Sequence, residues 1–489
     1  MKFIDVLKWP NPYKIKFDLM PSVAKHAHDF LISLAAAYKS SFDPTELDKF
    51  HNSIVKFRTK YKKFDQTIWI DSGGYSFISG KYGQNDIEKL MELYIKYVEN
   101  YHEDFDYFFS LDFPFRKNDD SYNSNLEKIK STNIESVNRT LKLINANDGL
   151  NEKFYFIIQF LDPKLFSVWR KIYLETGLKS LNCNRAIGGM VGSRKNKPGA
   201  VSPFIGVAYR AYLDFITSDQ STSNKFKLHF LGINLLQDRF EILLLEKLFS
   251  IYADKIELLF TYDTAFITNQ PKKKHLNLPA FIPWDDNNYR PIANFDEINI
   301  GSDLKEAPGS SILSDLEKIY EPSMLSRARE MMDISSEKRN LALKRQLEKL
   351  MLEESGKKTK KEPANLEIFD PFNILSHKCM DEIMSRSIDR LGLVEDIINA
   401  DSYSQAVNIA NDFIMNVSHC NEVSVTGDGD MFYLAESSLF SASNLLWSIR
   451  KNILQTYKFH KHFVEKRDDE KLLDKMILKF IEEFNKPKG

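Results

Sequence analysis

Short apolar runs alternate with longer amphipathic stretches from about residue 29 to residue 263. The runs cover Phe30 to Ala36, Thr67 to Asp71, Tyr107 to Asp112, Phe154 to Phe160, Arg185 to Met190, Leu228 to Ile233 and Ile256 to Asp263. Each has the length of a strand. Helical patterns lie between them. Ile87, Leu90, Met91, Leu93, Tyr94 and Val98 fall mostly on one face of a helix that Asn85 or Asp86 can cap. Arg239 to Ile251, rich in Leu and Ile, is a second. Strand and helix in regular alternation predict a parallel sheet with right-handed crossovers. With an eighth strand expected before residue 29, the pattern predicts an α/β fold of the (β/α)8 TIM barrel type. An open doubly wound sheet is the alternative, although no GxGxxG follows a strand.

After Asp263 the pattern changes. Pro279 to Asn299 reads as irregular structure, Glu337 to Glu354 as a highly charged helix, and Gly356 to Pro363 as a lysine-rich linker. Asp370-Pro371 is a good helix start. Helical pattern then runs to about residue 487, apart from a turn at Thr426 to Asp430. The expected division is a barrel over 1–310, a charged helical connector over 311–365 and a helical C-terminal module over 366–489. That module is expected to engage a polynucleotide or a partner protein, with Lys458-Phe459-His460-Lys461-His462 interleaving charge and an aromatic ring.

At 489 residues the chain has room for a large barrel and an appended module. A net charge of −1 excludes a wholly basic nucleic-acid coat and leaves local phosphate-binding patches open. The three cysteines, Cys183, Cys379 and Cys420, are scattered, which predicts neither a clustered zinc site nor a disulfide framework. No apolar run reaches membrane-spanning length and the first residues lack a signal-peptide core, so a cytoplasmic location with no membrane partner is expected.

Three carboxylates close three of the apolar runs: Asp71 before Ser72-Gly73-Gly74-Tyr75, Asp112 before Phe113-Pro114, and Asp263. Acids at strand ends are placed to build a barrel's active site. Each has a plainer reading. Asp71 can cap a turn, Asp112 can be a loop acid, Asp263 can pair with a nearby lysine, and Gln159 can be a core amide. His229, beside Phe230 on a strand, reads as a core residue.

Taken together, these segments resemble the tRNA-guanine transglycosylase superfamily. Asp71-Ser72-Gly73-Gly74-Tyr75 is similar to its DSGGF segment and Ser110-Leu111-Asp112-Phe113-Pro114 to its LD-x-P strand end. Ile157-Ile158-Gln159-Phe160 is similar to the strand bearing its base-reading glutamine. Arg185 to Gly192 resembles its AIGG loop, and Tyr262-Asp263-Thr264-Ala265-Phe266 its nucleophile segment. The five occur in the family's order and cover roughly residues 29 to 266.

The resemblance implies a pentosyltransferase that exchanges guanine in a polynucleotide for a 7-deazaguanine such as preQ0, with no cofactor. It implies Asp263 as covalent nucleophile and Asp71 as proton donor and acceptor. Asp112 and Gln159 would read the guanine edge. Ser72, Gly73, Gly188 and Gly189 would lie against the base, and Tyr75 would stack on it. Arg194, Lys195 and Lys197 after the glycine loop, and Lys272, Lys273 and Lys274 after the nucleophile strand, would hold phosphates.

The chain departs from the tRNA enzymes in lacking their cysteine-rich zinc site and in ending on helical pattern where archaeal relatives carry a β-rich RNA module. The expected substrate is therefore DNA, as in the DNA-guanine transglycosylases (DpdA), with a partner protein that opens or presents it as a further expectation. Action on tRNA, a non-catalytic nucleic-acid-binding subunit and a barrel glycoside hydrolase are the alternatives.

Overall fold

The computed structural model describes residues 2–6, 29–34, 44–61, 67–114, 124–159, 163–178, 184–189, 204–217, 224–233, 235–253, 256–264, 280–283, 289–292, 381–382, 384–419, 442–466 and 469–485. They form a mixed α/β structure around a curled parallel sheet. Its strands are β1 (Lys2–Val6), β2 (Asp29–Ser33), β3 (Thr67–Asp71), β4 (Tyr107–Phe109), β5 (Phe154–Gln159), β6 (Asn184–Gly188), β7 (Lys225–Phe230) and β8 (Glu257–Thr264). From β2 to β8 every strand pairs in parallel with its neighbour in sequence. β1 pairs in parallel with both β2 and β8. Consecutive neighbours throughout leave no reversal of strand order, so the doubly wound alternative does not apply.

The expected strands from Thr67 onward are present, though β4 stops at Phe109 and leaves Asp112 in the loop beyond it. β2 stops at Ser33 where the apolar run suggested Ala36, because Leu34 already leaves the sheet in a helical turn. The strand expected before residue 29 is at Lys2–Val6.

Helices cross between strands: α1 (Pro44–Tyr61), the one-turn α2 (Gly74–Ile78), α3 (Ile87–Tyr101), α4 (Leu126–Ala146), α5 (Pro163–Glu175), α6 (Phe204–Ile216) and α7 (Leu236–Tyr252). In α3 the buried side chains are Leu90, Met91, Leu93, Tyr94, Tyr97 and Val98, close to the stripe predicted from the periodicity. Inside the sheet's curve, alternate strand positions form an aromatic floor. Trp69 lies 4.9 Å from Tyr155 and 5.7 Å from Phe109, centroid to centroid. Leu31, Ile157 and Ala186 complete that layer.

α6 is buried on every side from Phe204 to Phe215. A helix buried all round needs cover on both faces. The second cover comes from the C-terminal segment, whose described helices include α8 (Leu393–Asn399), α9 (Tyr403–His419), α10 (Ala442–Lys466) and α11 (Glu470–Asn485). Gly206 of α6 makes room: a Cβ there would lie 2.7 Å from the Phe459 ring and 2.9 Å from Ile477. Arg170 of α5 binds Asp214 of α6 with two hydrogen bonds of 2.6 and 3.0 Å, and Arg210 bridges Asp214 and Glu470 at 2.6 and 2.8 Å. Residues 1–15, 27–269 and 380–489 accordingly make one compact unit. The aromatic of the basic segment, Phe459, and its neighbour His460 are buried in this layer.

A second compact unit takes in residues 16–26 and 270–379. Its described part is an antiparallel pair, β9 (Ala280–Pro283) and β10 (Tyr289–Ile292). The stretch read as irregular thus contains a short two-stranded sheet. The charged helix over 337–354 and the linker over 356–363 lie outside the described residues.

Candidate active site

β3 ends on Asp71 and the chain turns at once through Gly73, whose φ of +90° belongs to the left-handed region that favours glycine. That turn returns the Gly73 N–H to the Asp71 carboxylate, which also accepts from the Ser33 side chain on the adjacent strand. Ser72 is fully buried, and its hydroxyl donates to the Ser110 carbonyl at 3.2 Å. It ties the end of β3 to the end of β4. Tyr75, in the first turn of α2, keeps 58% of its surface exposed.

Asp112 sits beyond β4 in a loop that α4 clamps from behind. Asn133 accepts from the Phe113 N–H at 2.8 Å and donates to the Phe113 carbonyl at 2.9 Å. Ser136 donates to the Leu111 carbonyl at 2.6 Å. The loop therefore has few free dihedrals, and Asp112 is held rigidly. Gln159, at the end of β5, donates through Nε2 to Asp112 Oδ2 at 2.7 Å.

Two glycines make this pair possible. A Cβ on Gly74 would fall 2.2 Å from Asp112 Oδ1, and one on Gly188 would fall 2.7 Å from Gln159 Nε2. Gly74 escaped the sequence reading, which valued the glycines for access to a base and not for room beside a carboxylate. Gly189 follows with φ +97°.

Asp263, near the end of β8, is buried. Its Oδ1 takes two donors, the Gly232 N–H at 2.9 Å and His229 Nε2 at 3.0 Å. His229 Nδ1 in turn lies 2.9 Å from Thr261 Oγ1. The reading of His229 as a core residue holds, and the structure adds polar partners to it. The ring is fully buried, as expected of a core residue, yet both its nitrogens are engaged and one is on Asp263. The signal lay in register: His229 pairs with Thr261, so a side chain turned to the inner face at 229 meets those at 261 and 263.

Electrostatics bind the acids into one group. Burial pushes the Asp71 carboxyl above its usual range; the Asp263 charge adds to the shift, and the Ser33 and Gly73 hydrogen bonds oppose it. Burial pushes Asp112 up to about 7; the Gln159 bond opposes this and the Asp71 charge assists. Clustered acids whose environments favour the neutral form of two members can divide acid and base roles among themselves.

Arg194, Lys195, Lys197, Lys272, Lys273 and Lys274 lie outside the described residues, as do all three cysteines. Among the described residues no group of three or more His, Cys, Asp and Glu is arranged to hold a metal. Nor is any described helix long and apolar enough to cross a membrane. No known protein family's sequence profile matches the chain, and no curated protein matches it.

Proposed function

We propose that this protein is a base-exchange transglycosylase that replaces guanine in DNA with a 7-deazaguanine such as preQ0, and that its curled parallel sheet is a (β/α)8 TIM barrel. The observation that carries the reading is the joining of Asp71, Asp112 and Asp263 into one electrostatic group, with Gln159 bonded to Asp112.

In this reading Asp263 attacks C1′ of the target nucleotide from the face opposite the departing guanine. The C1′–N9 electron pair leaves with the base, and Asp71 supplies its proton. Enclosure raises the pKa of the Asp71 carboxyl, which suits it to hold and pass on that proton. The incoming base, deprotonated by Asp71, then attacks C1′ and returns the electron pair to Asp263. Two inversions retain the configuration. Asp112 accepts from guanine N1–H and the 2-amino group. Gln159 Nε2 has one hydrogen on Asp112 and a second for guanine O6. The target nucleotide must leave the base stack, which favours single-stranded or distorted DNA. Arg194, Lys195, Lys197 and Lys272 to Lys274 are assigned to phosphates, and Tyr75 to stacking.

The test is release of labelled guanine from matched DNA and tRNA at low salt, with denaturing gels to trap the adduct. Wild type is expected to release guanine from DNA and to form a protein–DNA adduct that Asp263→Asn lacks. Asp71→Asn should slow both adduct formation and turnover by at least about a hundredfold. Release from tRNA alone would move the substrate to tRNA. Undiminished exchange by Asp263→Asn would remove the nucleophile assignment.

A further inference from the structure

Among the described residues, both donors to Asp263 converge on the same oxygen. Gly232 N–H and His229 Nε2 lie 2.9 and 3.0 Å from Oδ1. We propose that His229 is a positioning residue for Asp263, loading Oδ1 together with Gly232 so that Oδ2 is the oxygen that attacks C1′. The proposal rests on the transglycosylase reading and adds to it an atom and a residue.

The hydrogen on Nε2 follows from its neighbours. An unprotonated Nε2 would set its lone pair against a carboxylate oxygen at 3.0 Å. Nε2 therefore donates. With a neutral ring, Nδ1 accepts from the Thr261 hydroxyl at 2.9 Å; with a charged ring it donates to that hydroxyl. Thr261 serves either state, and in both the Nε2–H stays on Asp263. Packing prevents the ring from swinging away, because its centroid is 4.7 Å from that of Phe109 and 5.6 Å from that of Trp69. Gly232 has φ +73°, a conformation that favours glycine and turns its N–H toward the carboxylate.

This arrangement serves both halves of the exchange. In the first, a new C1′–Oδ2 bond forms as C1′–N9 breaks, and the electron pair and a proton from Asp71 leave with guanine. The two N–H groups fix the carboxylate plane so that Oδ2 is aimed. In the second, C1′–Oδ2 breaks and negative charge returns to the carboxylate. The same N–H groups are already in place to meet it, at no cost of reorganisation.

The experiment measures the rate of adduct formation on guanine-containing single-stranded DNA with the full chain, and preQ0 affinity by calorimetry. His229→Leu keeps the volume and removes the donor; His229→Gln keeps an N–H near Nε2. The Leu variant is expected to form adduct about a hundredfold more slowly, with preQ0 affinity within about twofold of wild type. The Gln variant should recover about tenfold of that loss. Thr261→Val leaves the ring in place and should slow adduct formation severalfold, which covers the case of a His229 variant that fails to fold. A Leu variant as fast as wild type, or Gln and Leu variants equally slow, would overturn the proposal while the transglycosylase reading stood. Wild type that forms no adduct on DNA or tRNA overturns the reading itself.

Discussion

Gln159 Nε2, at the end of β5, donates to Asp112 Oδ2, in the loop after β4, at 2.7 Å, and the pair is buried. Burial keeps Asp112 neutral up to about pH 7. A base that offers N1–H and an amino group needs the carboxylate. Affinity for preQ0 should therefore rise with pH up to about 7 and level off above it, falling about tenfold per unit below. Calorimetry from pH 5.5 to 8.5 checks this. In Asp112→Asn the affinity should be low and flat.

The same residue makes a stability prediction. Its folded pKa of about 7 lies above the reference value of 3.8, so the folded state holds the proton longer. Between those values stability falls as pH rises, by up to about 1.4 kcal/mol per unit. Asp112→Asn should raise the melting temperature at pH 8 and leave it little changed at pH 4.

His460 acts with the opposite sign. It is buried between the Tyr209 and Tyr252 hydroxyls, 3.3 and 3.1 Å away, and burial lowers its pKa from 6.5 to about 4. The unfolded chain then binds the extra proton first. Its contribution is present above pH 6.5 and is lost as pH falls toward 4. In the wild type this loss and the Asp112 gain oppose each other over that window. His460→Gln should remove the acid-side loss, so that its melting temperature falls less than that of wild type between pH 6.5 and 4.5.

Gly74 faces Asp112 with no room for a side chain, since a Cβ would fall 2.2 Å from Oδ1. Gly74→Ala sits in a helical turn that accepts alanine, so the fold should survive while Asp112 is displaced. PreQ0 affinity is expected to drop at least about tenfold with a melting temperature within a few degrees of wild type. Retained affinity would show that Asp112 is not part of the base pocket.

Phe459 fills the space that Gly206 leaves on α6, and α6 is buried all round, its Arg210 and Asp214 included. Phe459→Ala should cost about 3–5 kcal/mol in denaturant unfolding. Removal of residues 380–489 should leave the sheet and its helices insoluble. A soluble, folded truncation would show that the C-terminal helices are an independent module.

The strands and the acids at their ends were legible because both depend on local pattern. An apolar run that stops at an acid reads the same in any tertiary setting, so Asp71, with its glycine turn, and Asp263 stood out, as did Gln159 at the end of its run. The stripe of α3 was legible for the same reason. What the order of residues left open was decided by contacts between distant segments. His229 looks like any histidine on an apolar strand until the register sets it beside Thr261 and Asp263. Gly74 looks like the second half of a turn until the loop after β4, held by Asn133, brings Asp112 against it. The C-terminal helices look self-contained because each is amphipathic, and a helix's own periodicity does not say which surface its apolar face meets. That surface is α6, more than two hundred residues earlier, where Gly206 and Tyr209 receive Phe459. Local hydrophobic order thus determined the elements, and only packing across the chain decided which side chains share the candidate site and which helices complete the core.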